Sequence, residues 1–187
     1  AGTGMSAAAH CLEAYCSPHF HPMSQGIALE GMRLVKENLL RAYGAPDDLD
    51  ARAQMMAAAM MGATAFQKGL GAIHALSHPV GALYDTHHGT TNAVVMQAVL
   101  RFNRAEVEER LDRAAAYMSI EDGYEGFVAF AAALCADLGI PARLGDLGVG
   151  ADRGDAMVKM ALRDPSCGGN PRPLDDASVR ALFLAVI

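Results

Sequence analysis

The residues of this chain best equipped for chemistry are His74, His78 and His88 in the run HALSHPVGALYDTHHG, together with His10 in TGMSAAAH. Imidazole is the commonest protein ligand for a borderline divalent metal, and its proton equilibrium lies near neutrality. A catalytic divalent site takes three protein ligands and keeps one position open. Helices can bring His10 and His74 while a loop supplies His88, and His74 and His78, four apart, share one helix face. Spacing alone does not say which of these imidazoles bind, and a set of satisfied core histidines is the plain alternative.

The elements that must position them are helices. Ala, Leu and Met are abundant, Trp is absent and aromatics make up 6% of the chain, a composition of helix formers. Thr3 reads as the cap of a first helix from about Met5 to Cys16, ended by Ser17-Pro18. Further helices are expected from Pro22 to Gly44, Ala51 to Phe66, Ile73 to Tyr84, Thr90 to Phe102, Val107 to Met118, Gly123 to Leu138, Ala151 to Leu162 and Asp175 to Val186. Pro79 is expected to kink the fourth or to force a boundary, and the Met- and Ala-rich third is apolar nearly all round and expected to be buried.

With 187 residues, 52% hydrophobic and 19% charged, the chain reads as one all-α globular domain. A net charge of -6 and the lack of any basic stripe argue against a nucleic-acid or anionic-membrane partner. Neither a membrane span nor a secretory signal is legible, so the cytoplasm is the expected location. Cys11, Cys16, Cys135 and Cys167 lack metal-ribbon spacing and are expected to be reduced. The opening Ala1-Gly2-Thr3-Gly4, without an initiator Met or a leading strand, reads as part of a longer polypeptide.

The stretches TGMSAAAHCLEAY, GLGAIHALSHPVGALYDTHHGTTNAVVM, VLRFN and GGNPRPL, in that order over essentially the whole chain, resemble the C-terminal helical domain of the iron-containing (group III) alcohol dehydrogenases. The resemblance implies a multi-helix bundle of the type shared with dehydroquinate synthase-like proteins. Residues 1–187 would be a single metal-binding domain, with NAD(P) held by an N-terminal α/β domain outside this chain. It implies a divalent metal, Fe²⁺ or Zn²⁺, gripped by an aspartate and three histidines that fall on His10, His74 and His88. It places on His78 a role in proton transfer or active-site hydrogen bonding. The implied activity is the NAD(P)-dependent interconversion of alcohols with aldehydes or ketones by hydride transfer, the metal polarising the alcohol oxygen. The implied partners are a small alcohol or aldehyde, the nucleotide domain and a second copy in a homodimer.

The chain departs from the family's pattern at the aspartate position, four residues before His10, where it carries Ser6. A neutral, shorter hydroxyl there predicts weaker binding of hard Fe²⁺, in a site that is empty, zinc-loaded or completed by water. The plainer reading is that Ser6 is simply tolerated in a first helical turn. Ser6 also favours an alternative function, a helical metal-binding or oligomerisation domain without catalysis of its own. An all-helical metallohydrolase is disfavoured for want of a second carboxylate ligand.

The glycine pairs Gly2/Gly4, Gly69/Gly71 and Gly148/Gly150 lack the third glycine and the strand setting of a dinucleotide fingerprint and read as turns and close helix contacts. His19 and His21 read as solvated loop residues, and the pairs Asp47-Asp48, Glu108-Glu109 and Asp175-Asp176 as helix caps or polar faces. His87, Phe66 and Gln67 either border the cleft or point elsewhere.

Overall fold

The computed structural model describes residues 1–187 and contains eight α-helices and no strand. These are α1 (Gly2–Cys16), α2 (Pro22–Gly44), α3 (Leu49–Ala65), α4 (Ala72–Tyr84), α5 (His88–Tyr117), α6 (Gly123–Asp137), α7 (Gly154–Ala161) and α8 (Asp176–Val186). Short 3₁₀ turns occupy Phe66–Lys68, Leu144–Leu147, Ala151–Arg153 and Pro165–Gly169. The all-α expectation holds.

Helices α1 and α5 run through the middle: α1 packs on α2, α3 and α5, while α5 also carries α4, α6 and α8. Tyr15, Met5, Ile73, Leu76 and Leu111 are fully buried where they meet. Close approach is set by small residues. A Cβ on Gly62 of α3 would stand 3.0 Å from the Cβ of His10 and 3.2 Å from Cys11 Sγ, so glycine lets α3 lie directly on the face of α1 that bears His10.

Three expectations are corrected. The helix α1 starts at Gly2, with Ala1 rather than Thr3 at its cap. The two helices read between Thr90 and Met118 are one 30-residue helix, α5. No glycine or proline interrupts Thr90 to Tyr117, and Asn103 and Arg104, between the two segments as read, find partners on other elements. Of the two readings of Pro79 the boundary is excluded, since the proline lies inside α4, which runs to Tyr84 as expected. The third helix is not buried all round: Ala51, Ala58, Gly62 and Ala65 form its packed stripe, while Met56 and Met60 are about two-thirds exposed, at 67% and 68%. Uniform apolarity carried no directional information there. The four cysteines are free, as expected, with Cys11 and Cys16 buried.

The end of α1 is held by charge. Pro18 has no N–H to offer the last turn, and the exposed carbonyls are taken by cations from elsewhere. The Lys68 ammonium donates to the carbonyls of Ala14, Tyr15 and Ser17 at 2.9, 3.0 and 2.7 Å. Arg110 of α5 donates to those of Cys16 and Ser17 at 2.8 and 2.7 Å. Positive charge at a helix C-terminus is where the helix dipole favours it. Burial, and then the Arg110 guanidinium, pushes the Lys68 pKa down to about 8.

Candidate functional site

Helix α1 supplies His10, the buried α4 supplies His74 and His78, and the first residue of α5 is His88, so the fourth imidazole is helical rather than in a loop. His87 caps that helix, its Nδ1 accepting from the Thr90 N–H at 3.3 Å, which explains the neighbouring histidine without placing it in the cluster. His74 is central and almost fully buried. Its ring centroid lies 4.7 Å from that of His10, 5.2 Å from His88 and 5.6 Å from His78. The His78 and His88 rings stack at 5.4 Å. All four imidazoles singled out by sequence therefore converge. The other candidates separate: His19 and His21 are exposed, and His21 caps α2 by accepting from Ser24 N–H at 3.1 Å. Phe66 is at the edge of the cluster, its ring 5.4 Å from that of His10.

Ser6 lies one turn before His10 on α1 and packs at Gly89, immediately after His88; a Cβ at Gly89 would meet the Ser6 Cβ at 3.2 Å and overlap the Gly2 carbonyl. Only glycine permits the first turn of α5 to come this close to α1.

The imidazoles are oriented by residues the sequence reading did not single out. Glu13, buried on α1, accepts from the Ile73 backbone N–H at 2.6 Å and from His74 Nδ1 at 2.5 Å. One carboxylate thus satisfies the start of α4 and fixes the proton of His74 on Nδ1, leaving Nε2 as a lone pair. The amide nitrogen of Asn92 lies 3.4 Å from His74 Nε2 and 3.1 Å from His88 Nε2, while its own oxygen is buried without a partner. On the other side, His78 Nδ1 is 2.7 Å from Asp164 Oδ2. Asn170 caps α4 from a distance, accepting from Ala72 N–H at 3.0 Å and exchanging amide bonds with Asn103 at 2.9 and 2.8 Å.

Two of these had a local signal. Glu13 is three residues after His10 and Asn92 four after His88, positions that share a helical face. Asp164 had none: it meets His78 across 86 residues of chain.

Two members of the cluster, His10 and His88, are held neutral. Burial first, and then the neighbouring imidazoles, lower the pKa values of His10 and His88 to about 4. Neutral imidazoles are what a divalent cation requires. As they stand, no three His, Cys, Asp or Glu side chains close on one point tightly enough to hold an ion, and the Asn92 amide nitrogen sits against Nε2 of both His74 and His88. The donor chemistry nonetheless fits a borderline cation: neutral nitrogen ligands, one oriented by a buried carboxylate, beside a buried oxygen with no partner. It lacks the charged oxygen ligand that a harder ion favours.

A pH dependence follows for protein kept in chelator. The folded state lowers these two pKa values from 6.5 to about 4, so the unfolded chain binds more protons between those limits. Stability is therefore full above pH 6.5 and is lost as pH falls toward 4. Thermal melting from pH 7 to 4.5 is expected to show falling Tm, with a shallower fall in His88→Gln; equal slopes would contradict the assignment.

The comparisons with known proteins agree in direction. The model of the Fe-containing alcohol dehydrogenase family, C-terminal part, matches residues 1–187. The chain is 42% identical to a 4-hydroxybutyrate dehydrogenase of Cupriavidus necator, covering 98% of this chain and 50% of that protein. It is 35% identical to a 1,3-propanediol dehydrogenase of Klebsiella pneumoniae, covering 98% and 49%. A crystal structure of 1,3-propanediol oxidoreductase superposes with a TM-score of 0.96 at 34% identity, over 100% of this chain and 51% of that one. The chain spans about half the length of the relatives it matches. No helix is long and apolar enough to cross a membrane.

Proposed function

The chain belongs to the iron-containing alcohol dehydrogenase family, and from that premise we propose that it is the metal-binding catalytic half of an NAD(P)-dependent dehydrogenase interconverting a small alcohol with its aldehyde or ketone. The observation that carries this reading is the convergence of four imidazoles from α1, α4 and α5. His10, His74 and His88 would hold a divalent cation, and His78 would receive or return the substrate's hydroxyl proton. When bound, the cation supplies Lewis acidity toward the alcohol oxygen, and NAD(P), held mainly by an N-terminal α/β domain, supplies the hydride acceptor.

The chain's own residues do the rest. Glu13 holds His74 with its Nε2 lone pair free, and burial keeps His10 and His88 deprotonated at neutral pH. Phe66 bounds the cluster beside His10. The relatives named for 4-hydroxybutyrate and 1,3-propanediol support a short primary alcohol carrying a second polar group.

Ser6 favours a second reading, a metal-binding or oligomerisation domain without catalysis, because the charged ligand position of the family is neutral here. The two part in one experiment on the full-length protein. Alcohol-dependent NAD(P)H formation by protein loaded with Zn²⁺ or Fe²⁺ supports the dehydrogenase; cation binding with no turnover of any short alcohol or diol supports the other. Ser6→Asp is expected to raise iron affinity at least about 10-fold, since loss of even an outer-shell partner costs roughly 10–100-fold. Equal iron occupancy in both proteins would contradict the idea that a carboxylate matters at this position.

A further inference from the structure

We propose that Asp164 is the positioning residue for His78, fixing which of its ring nitrogens carries the proton. The use made of His78 rests on the dehydrogenase reading; the placement of its proton does not.

Asp164 ends the turn after α7, and its side chain is 12% exposed against 43% for that of His78. Its Oδ1 accepts from the Ser166 backbone N–H at 2.8 Å, and its Oδ2 lies 2.7 Å from His78 Nδ1. The first bond ties the carboxylate to its own loop, so the second oxygen is presented in a fixed direction. An ionised carboxylate can only accept, so His78 Nδ1 must donate, and the lone pair of the neutral ring is left on Nε2. The stacked His88 ring, inclined by 15°, and the edge-on His74 ring hold the plane of His78 in place. A capping role for Asp164 would need only the bond to Ser166.

The same loop reaches α4 twice. Asn170, six residues on, takes the Ala72 N–H in the first turn of α4, and Asp164 takes His78 in its second. The segment between them is therefore clamped to the helix that carries both His74 and His78. A neutral histidine whose Nε2 is the acceptor is the form able to take a hydroxyl proton, and a carboxylate on Nδ1 selects that form.

In Asp164→Asn the side-chain oxygen keeps the Ser166 N–H, and the amide NH₂ then faces His78. Nδ1 must become the acceptor, and the proton moves to Nε2. The experiment is a long-range ¹H–¹⁵N correlation spectrum of the full-length protein labelled with ¹⁵N-histidine. Wild type is expected to show the Nδ1–H form of His78 and D164N the Nε2–H form. An Nε2–H form in wild type, or the same form in both, overturns the proposal. If D164N does not fold, D164E, which keeps both acceptor oxygens, is expected to retain the Nδ1–H form, and its loss overturns the proposal equally.

In steady-state alcohol oxidation, D164N is expected to lower kcat by about 10²-fold or more, the usual scale for a misplaced proton-transfer group, with a much smaller change in KM and partial rescue by D164E. A flipped ring with unchanged kcat would overturn the positioning role while leaving the dehydrogenase reading intact. Absence of turnover in wild type would instead sink the dehydrogenase reading, and the spectrum would still decide whether Asp164 fixes the ring.

Discussion

His74→Ala is expected to abolish stoichiometric cation binding and to lower alcohol oxidation by the full-length protein by about 10³-fold or more. Lewis-acid stabilisation by a bound metal is worth several kcal/mol, and about 4 kcal/mol corresponds to that factor. His74 is the largest single loss because it is the hub: its ring neighbours those of His10, His78 and His88, and its Nδ1 donates to the buried Glu13 carboxylate. Glu13→Gln separates orientation from ligation. Its amide oxygen can keep the Ile73 N–H, but its NH₂ then forces His74 Nδ1 to accept and places the proton on Nε2, against the cation. Cation affinity is expected to fall about 10–100-fold in that variant, as for other lost outer-shell partners. Metal analysis and initial rates on both variants check this; wild-type cation content in His74→Ala would refute it.

The second large effect is on stability. Lys68→Met is expected to lower the unfolding free energy by about 3 kcal/mol in a urea melt with unchanged slope. Methionine fills a similar volume, so the loss reports the ammonium rather than a cavity. The Ala14 carbonyl has Pro18 where the next N–H of the helix would be, and Lys68 is its hydrogen-bond donor. Arg110 still reaches Cys16 and Ser17 in the variant, which limits the loss. Hydrogen bonds to charged groups contribute roughly 1.5–3 kcal/mol each, and removing the cost of burying the ammonium offsets part of the sum. A change below about 1 kcal/mol would mean that Arg110 alone closes the end of α1. Because that end carries Glu13, cation binding is expected to weaken with it.

The helical class and the set of imidazoles were legible because both leave a mark along the chain. Alternating apolar faces and proline or glycine punctuation located α1, α2, α4 and α6 closely, and a cluster of histidines in a His-poor protein stands out. The joining of residues 88–117 into one helix was not legible, since Asn103 and Arg104, between the two segments as read, find their partners Asn170 and Glu125 only on other elements. The exposure of Met56 and Met60 was hidden for the opposite reason: an evenly apolar helix has no face to read until glycine and alanine contacts choose one. The orienting groups divide in the same way. Glu13 and Asn92 sit at helical spacing from His10 and His88, whereas Asp164 and Asn170 reach α4 only through the folded path of the chain.

The account turns on one divalent cation shared by His10, His74 and His88. Its most direct test is calorimetric titration of Zn²⁺ into chelator-stripped full-length protein, alongside His10→Ala, His74→Ala, His88→Ala and the control His19→Ala/His21→Ala. One tight equivalent in wild type and in the control, lost in each of the three single variants, is the predicted result. No tight binding in wild type, or binding that survives in all three variants, would contradict it.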